Sequence, residues 1–173
     1  RDGCIQVKLD VKKDMEFPFL PRFGLRLFLD QSLDRVRYCG MGPDESYPDK
    51  HQASWHGIFE GDVRTMHRPY LKPQEYGSHW DCSWCEISGE EMSFQASSKE
   101  GFMFQACEYT QEELSEKAHD FELKEAGCTV LCLDHNQSGI GSGSCGPQLL
   151  EKYQFNEPEF SRTWVITPGK RKE

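Results

Sequence analysis

No run of apolar residues in this chain approaches the roughly 18 that a membrane-spanning helix needs, and the N-terminal residues lack the charged-then-apolar pattern of a signal peptide. Basic surplus is missing as well: 20 Lys and Arg stand against 29 Asp and Glu, a net charge of −9. That balance excludes nucleic acid as an expected partner, because such binding draws on clustered cations that displace counterions. The one basic cluster, "GKRKE" at 169–173, reads as a solvated tail. Repeats and low-complexity segments are lacking. Cys82 and Cys85 in "DCSWCE" have no second C-x-x-C and no strand–helix setting, so the motif points to neither zinc nor disulfide exchange. An initial Met is also lacking, and we read Arg1 as lying inside a longer natural chain.

What is present suits a single domain over residues 1–173, long enough to build a core without covalent staples. Several of the eight cysteines sit in apolar runs, Cys4 before Ile5 and Cys128 and Cys132 around Val130, where they act as small hydrophobes. Reduced thiols in a cytoplasmic protein are expected. Period-2 alternation dominates. It places Ile5, Val7, Leu9 and Val11 on one face, and likewise Leu25, Leu27 and Leu29, Val36 with Tyr38, Met92 with Phe94, and Phe102 with Phe104. In "FSRTWVI", Phe160, Trp164 and Ile166 point inward, with a parity slip at Arg162–Thr163 that the pattern leaves open. Only "YTQEELSEKAHDF" reads as helix, with Thr110 as N-cap, Glu113 completing a capping box and Leu114 and Ala118 as an i, i+4 apolar pair. The expected fold is all-β, a large antiparallel β-sandwich with one short helix.

Chemistry is concentrated in three loops. The stretch 135–148 reads "HNQSGIGSGSCGPQ" and contains a literal G-x-G-x-x-G at 141–146. A dinucleotide site is not expected there, because Pro147 follows the last glycine and too little chain remains for the second half of the unit. Cys145 has no base fixed beside it, His135 being ten residues away, so a neutral thiol lining a cleft is the better reading. Glu45, Asp49 and Glu75 lie in long Gly/Pro-punctuated loops with Tyr47, Tyr70 and Tyr76. Loops of this length are usually functional or covered by a partner. An epimerase would need a His acid, His67 or His119, opposite a carboxylate base such as Glu75, and nothing in the sequence pairs them.

Four segments carry a resemblance: "YCGMGPDESYPDKHQAS", "PYLKPQEYGSHWDCSW", "YTQEELSEKAHDFEL" and "LDHNQSGIGSGSCGPQLLEKY". In this order, and covering roughly residues 20 to 166, they resemble the C-terminal domain of family 2 β-galactosidases, which hydrolyse terminal β-D-galactose residues with retention. The resemblance implies a sandwich related to galactose mutarotase, found as the last domain or as the core of a small subunit. It also implies that the catalytic glutamates and the Mg²⁺ and Na⁺ ligands belong to a (β/α)₈ barrel outside this chain, in an enzyme expected to be oligomeric. This chain would then contribute no catalytic residue and no metal ligand, only a loop over the galactoside, with Ser142, Ser144 and Cys145 as its substrate-facing residues. Cys145 stands where many members place a Trp that stacks on the sugar, and Tyr76 where the family usually has Asn. The alternative is a free-standing mutarotase-like module that binds carbohydrate without chemistry.

Overall fold

The computed structural model describes residues 3–140 and 147–170. In chain order the elements are β1 (Ile5–Lys12), β2 (Arg22–Leu29), β3 (Arg35–Gly42), β4 (Trp55–Asp62), α1 (Val63–Met66), β5 (Ser78–Ser88), β6 (Met92–Cys107), α2 (Gln111–Glu116), β7 (Thr129–Gln137) and β8 (Glu159–Lys170), with single 3-10 turns at Asp120–Glu122 and Glu151–Tyr153. Among the described residues the strands form one eight-stranded sheet in the order β1-β8-β6-β5-β3-β4, with β7 added on β6 and β2 on β7. All pairings are antiparallel.

The sixteen residues of β6 organise the domain. Met92–Ser97 pairs with β8, whereas Met103–Cys107 pairs with β7. Between the two halves Gly101 takes φ +70°, a conformation that costs a side-chain-bearing residue dearly. The strand thus forks the sheet into a β8–β1 limb and a β7–β2 limb. The limbs close over one core, because unpaired strands meet face to face: Phe23 of β2 packs edge-on against Phe160 of β8 at 5.3 Å, and His135 of β7 stacks on Phe160 at 4.3 Å. Tyr38, Ile87, Phe104, Leu131, Leu133 and Trp164 fill the centre, with Val7, Leu9, Leu25, Leu27 and Leu29 packed on it. This is the expected antiparallel β-sandwich.

Four local expectations change. β8 has no parity slip: Phe160, Arg162, Trp164 and Ile166 are all buried, so Arg162 faces inward. Its guanidinium is satisfied there by the Gly101 carbonyl at 2.6 Å and by His135 Nδ1 at 2.9 Å, which makes burial of the charge tolerable. Met92 shares the parity of Phe94 but is exposed, because its partner is Lys170 at the end of the sheet. The expected helix shortens to Gln111–Glu116, leaving Ala118 exposed and the Leu114–Ala118 pair unmade. Thr110 Oγ1 does accept from Glu113 N at 3.2 Å, but the Glu113 carboxylate accepts from Lys124 N at 2.9 Å rather than closing the box. Finally, a second helix is present. The single turn of α1 is poor in helix formers and is held by burial of Val63 and Met66, with Thr65 Oγ1 accepting from Asp62 N and donating to its carbonyl.

Candidate functional site

The three chemistry-bearing loops converge at one end of the sandwich. Glu45, in the loop after β3, is the hub of the first two. Its Oε1 receives Lys50 Nζ at 2.6 Å and the Tyr70 hydroxyl, and its Oε2 receives the Tyr47 hydroxyl at 3.2 Å and Gly77 N at 3.0 Å. Burial opposes its charge, yet the bonds from Lys50, Tyr70 and Gly77 outweigh burial and hold the carboxyl below the ordinary carboxylate range. Glu45 is therefore an ionised brace and not a proton donor. Tyr70 packs on Tyr76 at 4.4 Å, and Tyr76 bonds through its hydroxyl to the Lys72 carbonyl and through its own carbonyl to the Gln105 amide.

Asp49 ties the first loop to the third. Its Oδ1 accepts from Ile140 N at 3.1 Å, and a Cβ on Gly139 would lie 2.2 Å from the Asp49 carboxyl carbon, so only glycine lets the two chains approach this closely. The base of the third loop is stapled from both sides by Ser138, whose hydroxyl donates to the Leu20 carbonyl at 2.7 Å and accepts from Phe155 N at 3.0 Å. Ser142, Ser144 and Cys145, the residues expected to face substrate, lie outside the described residues. The root from which they spring is thus fixed by Ser138, Gly139 and Ile140 on one side and Phe155 on the other.

Glu75 belongs to a network that alternation alone did not reveal. Arg22 pairs with Glu75, grips Asp134 through both Nε and Nη2, and donates to Gln105 Oε1 at 3.2 Å. Burial works against the Arg22 charge, but Asp134 and Glu75 more than offset it and raise the guanidinium above its ordinary value. The sequence signal is the acid of "VLCLDH": an Asp at the end of a buried apolar run requires a cation beside it. Beside this network runs a groove of about 560 Å³, lined by Phe19, Arg22, Lys72, Glu75, Ile140 and Leu149 among others.

The residues weighed for other chemistry are not brought together as that chemistry needs. His67 Nε2–H donates to Asp120 Oδ1 at 2.8 Å, and His119 sits by Glu122 at 3.4 Å, neither facing Glu75. Cys82 and Cys85 both point into the core, where burial drives each thiol well up from its ordinary value; Cys107 is pushed up to about 11 and Cys132 to about 12 for the same reason. Cys39, Cys82, Cys85, Cys107, Cys128 and Cys132 are free thiols. Among the described residues no three His, Cys, Asp or Glu side chains gather as metal ligands.

The class that fold and site define is an all-β antiparallel sandwich domain whose carboxylates brace loops at one end. Comparison with known proteins makes the assignment particular. The chain belongs to the beta galactosidase small chain family, whose profile matches residues 1–166. Beta-galactosidase of Actinobacillus pleuropneumoniae is 45% identical over 92% of this chain, and that of Staphylococcus xylosus 39% over 93%. Beta-galactosidase of Kluyveromyces lactis is 34% identical over 83%. The chain spans only 15%, 16% and 14% of the length of these three relatives. No helix among the described residues is long and apolar enough to cross a membrane.

Proposed function

We propose that this chain is the C-terminal sandwich domain of a cytoplasmic, retaining β-galactosidase, and that it completes with one loop the galactoside site of a (β/α)₈ domain carried elsewhere in the polypeptide or on a partner chain. The enzyme would hydrolyse terminal non-reducing β-D-galactose residues, lactose among them. The observation that carries this reading is the clamp at the root of the 141–146 stretch, where Asp49 accepts from Ile140 N against a glycine that leaves it room. Asp49, from the loop between β3 and β4, thus holds the residue that leads into 141–146, which supports a role for that stretch beyond its own strands.

In this reading Ser142 and Ser144 offer hydroxyls to the sugar and Cys145 lines the cleft without reacting. The nucleophile and the acid/base, two carboxyl groups some 5 to 5.5 Å apart in a retaining enzyme, are supplied by the barrel, as are the ligands for Mg²⁺ and Na⁺. The carboxylates of this chain fit that division, since Glu45, Glu75 and Asp134 are each committed to a cation or amide. The test is hydrolysis of a chromogenic β-galactoside. The complete polypeptide is expected to turn it over, and the 173-residue piece alone is expected to be inert. Turnover by the isolated piece refutes the proposal. So does full activity in a complete polypeptide that lacks residues 139–147.

A further inference from the structure

A second hollow lies away from the loop end, on the outer face of the sheet. It measures about 780 Å³, within the range of small-molecule sites, and crosses β4, β3, β5, β6 and β8. Register sorts its floor into rows. One row runs Glu60, Arg37, Glu86, Gln95, Thr167, and beside it runs Asp62, Arg35, Ser88, Ser93, Gly169. On the other flank of the first row lies a third: Ile58, Cys39, Trp84, Ser97. At about 4.8 Å between strands, each five-strand row is roughly 19 Å long.

Two properties of this face stand out. Arg37 is opposite both Glu60 and Glu86, yet among the described residues no ion pair joins Arg35, Arg37, Glu60 or Glu86 to a neighbour. Donors and acceptors of both signs therefore alternate in a hollow without being consumed by one another. Beside the hollow, though not among the residues lining it, the half-buried Trp84 indole carries the Arg37 guanidinium over its ring, 5.8 Å from the centroid, with exposed Ile58 beyond. A ligand that is polar along its edges, apolar on one face and uncharged meets all of these terms. An anion is opposed by three carboxylates, a cation by two arginines and Lys170.

We propose that this outer face is a second saccharide site, distinct from the loop end, in which Arg37, Glu86 and Gln95 bond the hydroxyls of a neutral galactoside or short oligosaccharide whose ring packs on Trp84 in place of the Arg37 guanidinium that lies over it here. Its architecture stands independently; the choice of a galactoside as ligand rests on the β-galactosidase reading. Saturable binding here would hold oligosaccharide on the sheet face of this domain.

The test uses the complete polypeptide with its catalytic pocket saturated by a tight-binding iminosugar, and lactose as the probe. Saturation-transfer NMR is expected to detect lactose on the blocked enzyme, with a tryptophan fluorescence change that disappears in Trp84→Phe. Arg37→Ala and Glu86→Gln should each weaken this binding at least tenfold while the melting temperature stays within a few degrees of the parent. Absence of lactose binding to the blocked enzyme overturns the proposal, as does binding unaffected by all three substitutions. A structure of the complete polypeptide with another domain covering Arg37 and Trp84 also overturns it. An inactive polypeptide that still binds lactose through Trp84 sinks the galactosidase reading and keeps the site; an active one without a second binding event does the reverse.

Discussion

Asp49 illustrates how one carboxylate converts loop chemistry into geometry. Its bond to Ile140 N is an interaction with the chain direction and not with a side chain, so any acceptor of the same length can replace it. In the complete enzyme Asp49→Ala is expected to lower kcat/KM by at least tenfold, about 1.4 kcal/mol, with little change in melting temperature, while Asp49→Asn restores most of the activity. Equal losses in the two variants would show that charge and not the bond is at work. His79 is the counterpart in the core. It stacks on Phe104 at 5.2 Å, lies against Tyr38, and has burial as the main reason its imidazole falls from an ordinary value near 6.5 to about 4. A base depressed in the folded state binds fewer protons folded than unfolded, so stability is unaffected above pH 6.5 and declines as pH falls from there towards 4. The decline attributable to His79 is about 3 kcal/mol. His79→Gln should flatten the pH dependence of urea unfolding across that window, and an unchanged slope would contradict the assignment.

Among the elements, β6 bears the most on architecture. Gly101 sits where one strand changes partners, at φ +70°, and its carbonyl receives Arg162 of the facing limb. A substituted Cβ would also come within 3.2 Å of the Asp81 carboxylate. Gly101→Ala is therefore expected to cost about 1–2 kcal/mol, read as a lowered urea midpoint with an unchanged m-value. At this scale the sequence was readable wherever one physical rule decided. Alternation in 25–29 and 36–38 placed the inward leucines, Val36 and Tyr38, because one face is core and the other solvent. It was undecided in β8, where Arg162 occupies an inward position that hydrophobicity assigns to solvent and that only a partner from another strand can justify. Sequence reading failed in 117–119, where helical propensity lost to the pairing of Glu113 with the Lys124 amide. The loops were recognised as functional from length and punctuation, but Asp49 meeting Ile140 spans 91 positions and has no local signature. Likewise Arg22 with Glu75 and Asp134 is a product of the fork in β6, legible only as a buried acid in want of a cation.

For the whole molecule the balance lies between long-range charge and unfinished edges. Among the described residues β4 pairs only with β3, so the backbone groups along its other side have no strand partner. The same strand exposes Trp55 and Ile58, and β2, paired only with β7, exposes Phe28. An exposed edge bearing large apolar side chains is a template for another chain. What opposes association is the net charge of −9, which makes copies repel over about 10 Å at 0.1 M salt and only about 3 Å at 1 M. The isolated 173-residue piece is therefore expected to sediment as a monomer at low ionic strength and to self-associate as salt is raised, the reverse of an assembly held by ion pairs. Trp55→Lys, which puts a charge on the β4 edge, should move the onset to higher salt. Were association instead strongest at low salt, or indifferent to Trp55→Lys, the edge of β4 would not be the surface responsible, and contacts between oppositely charged patches would have to account for it.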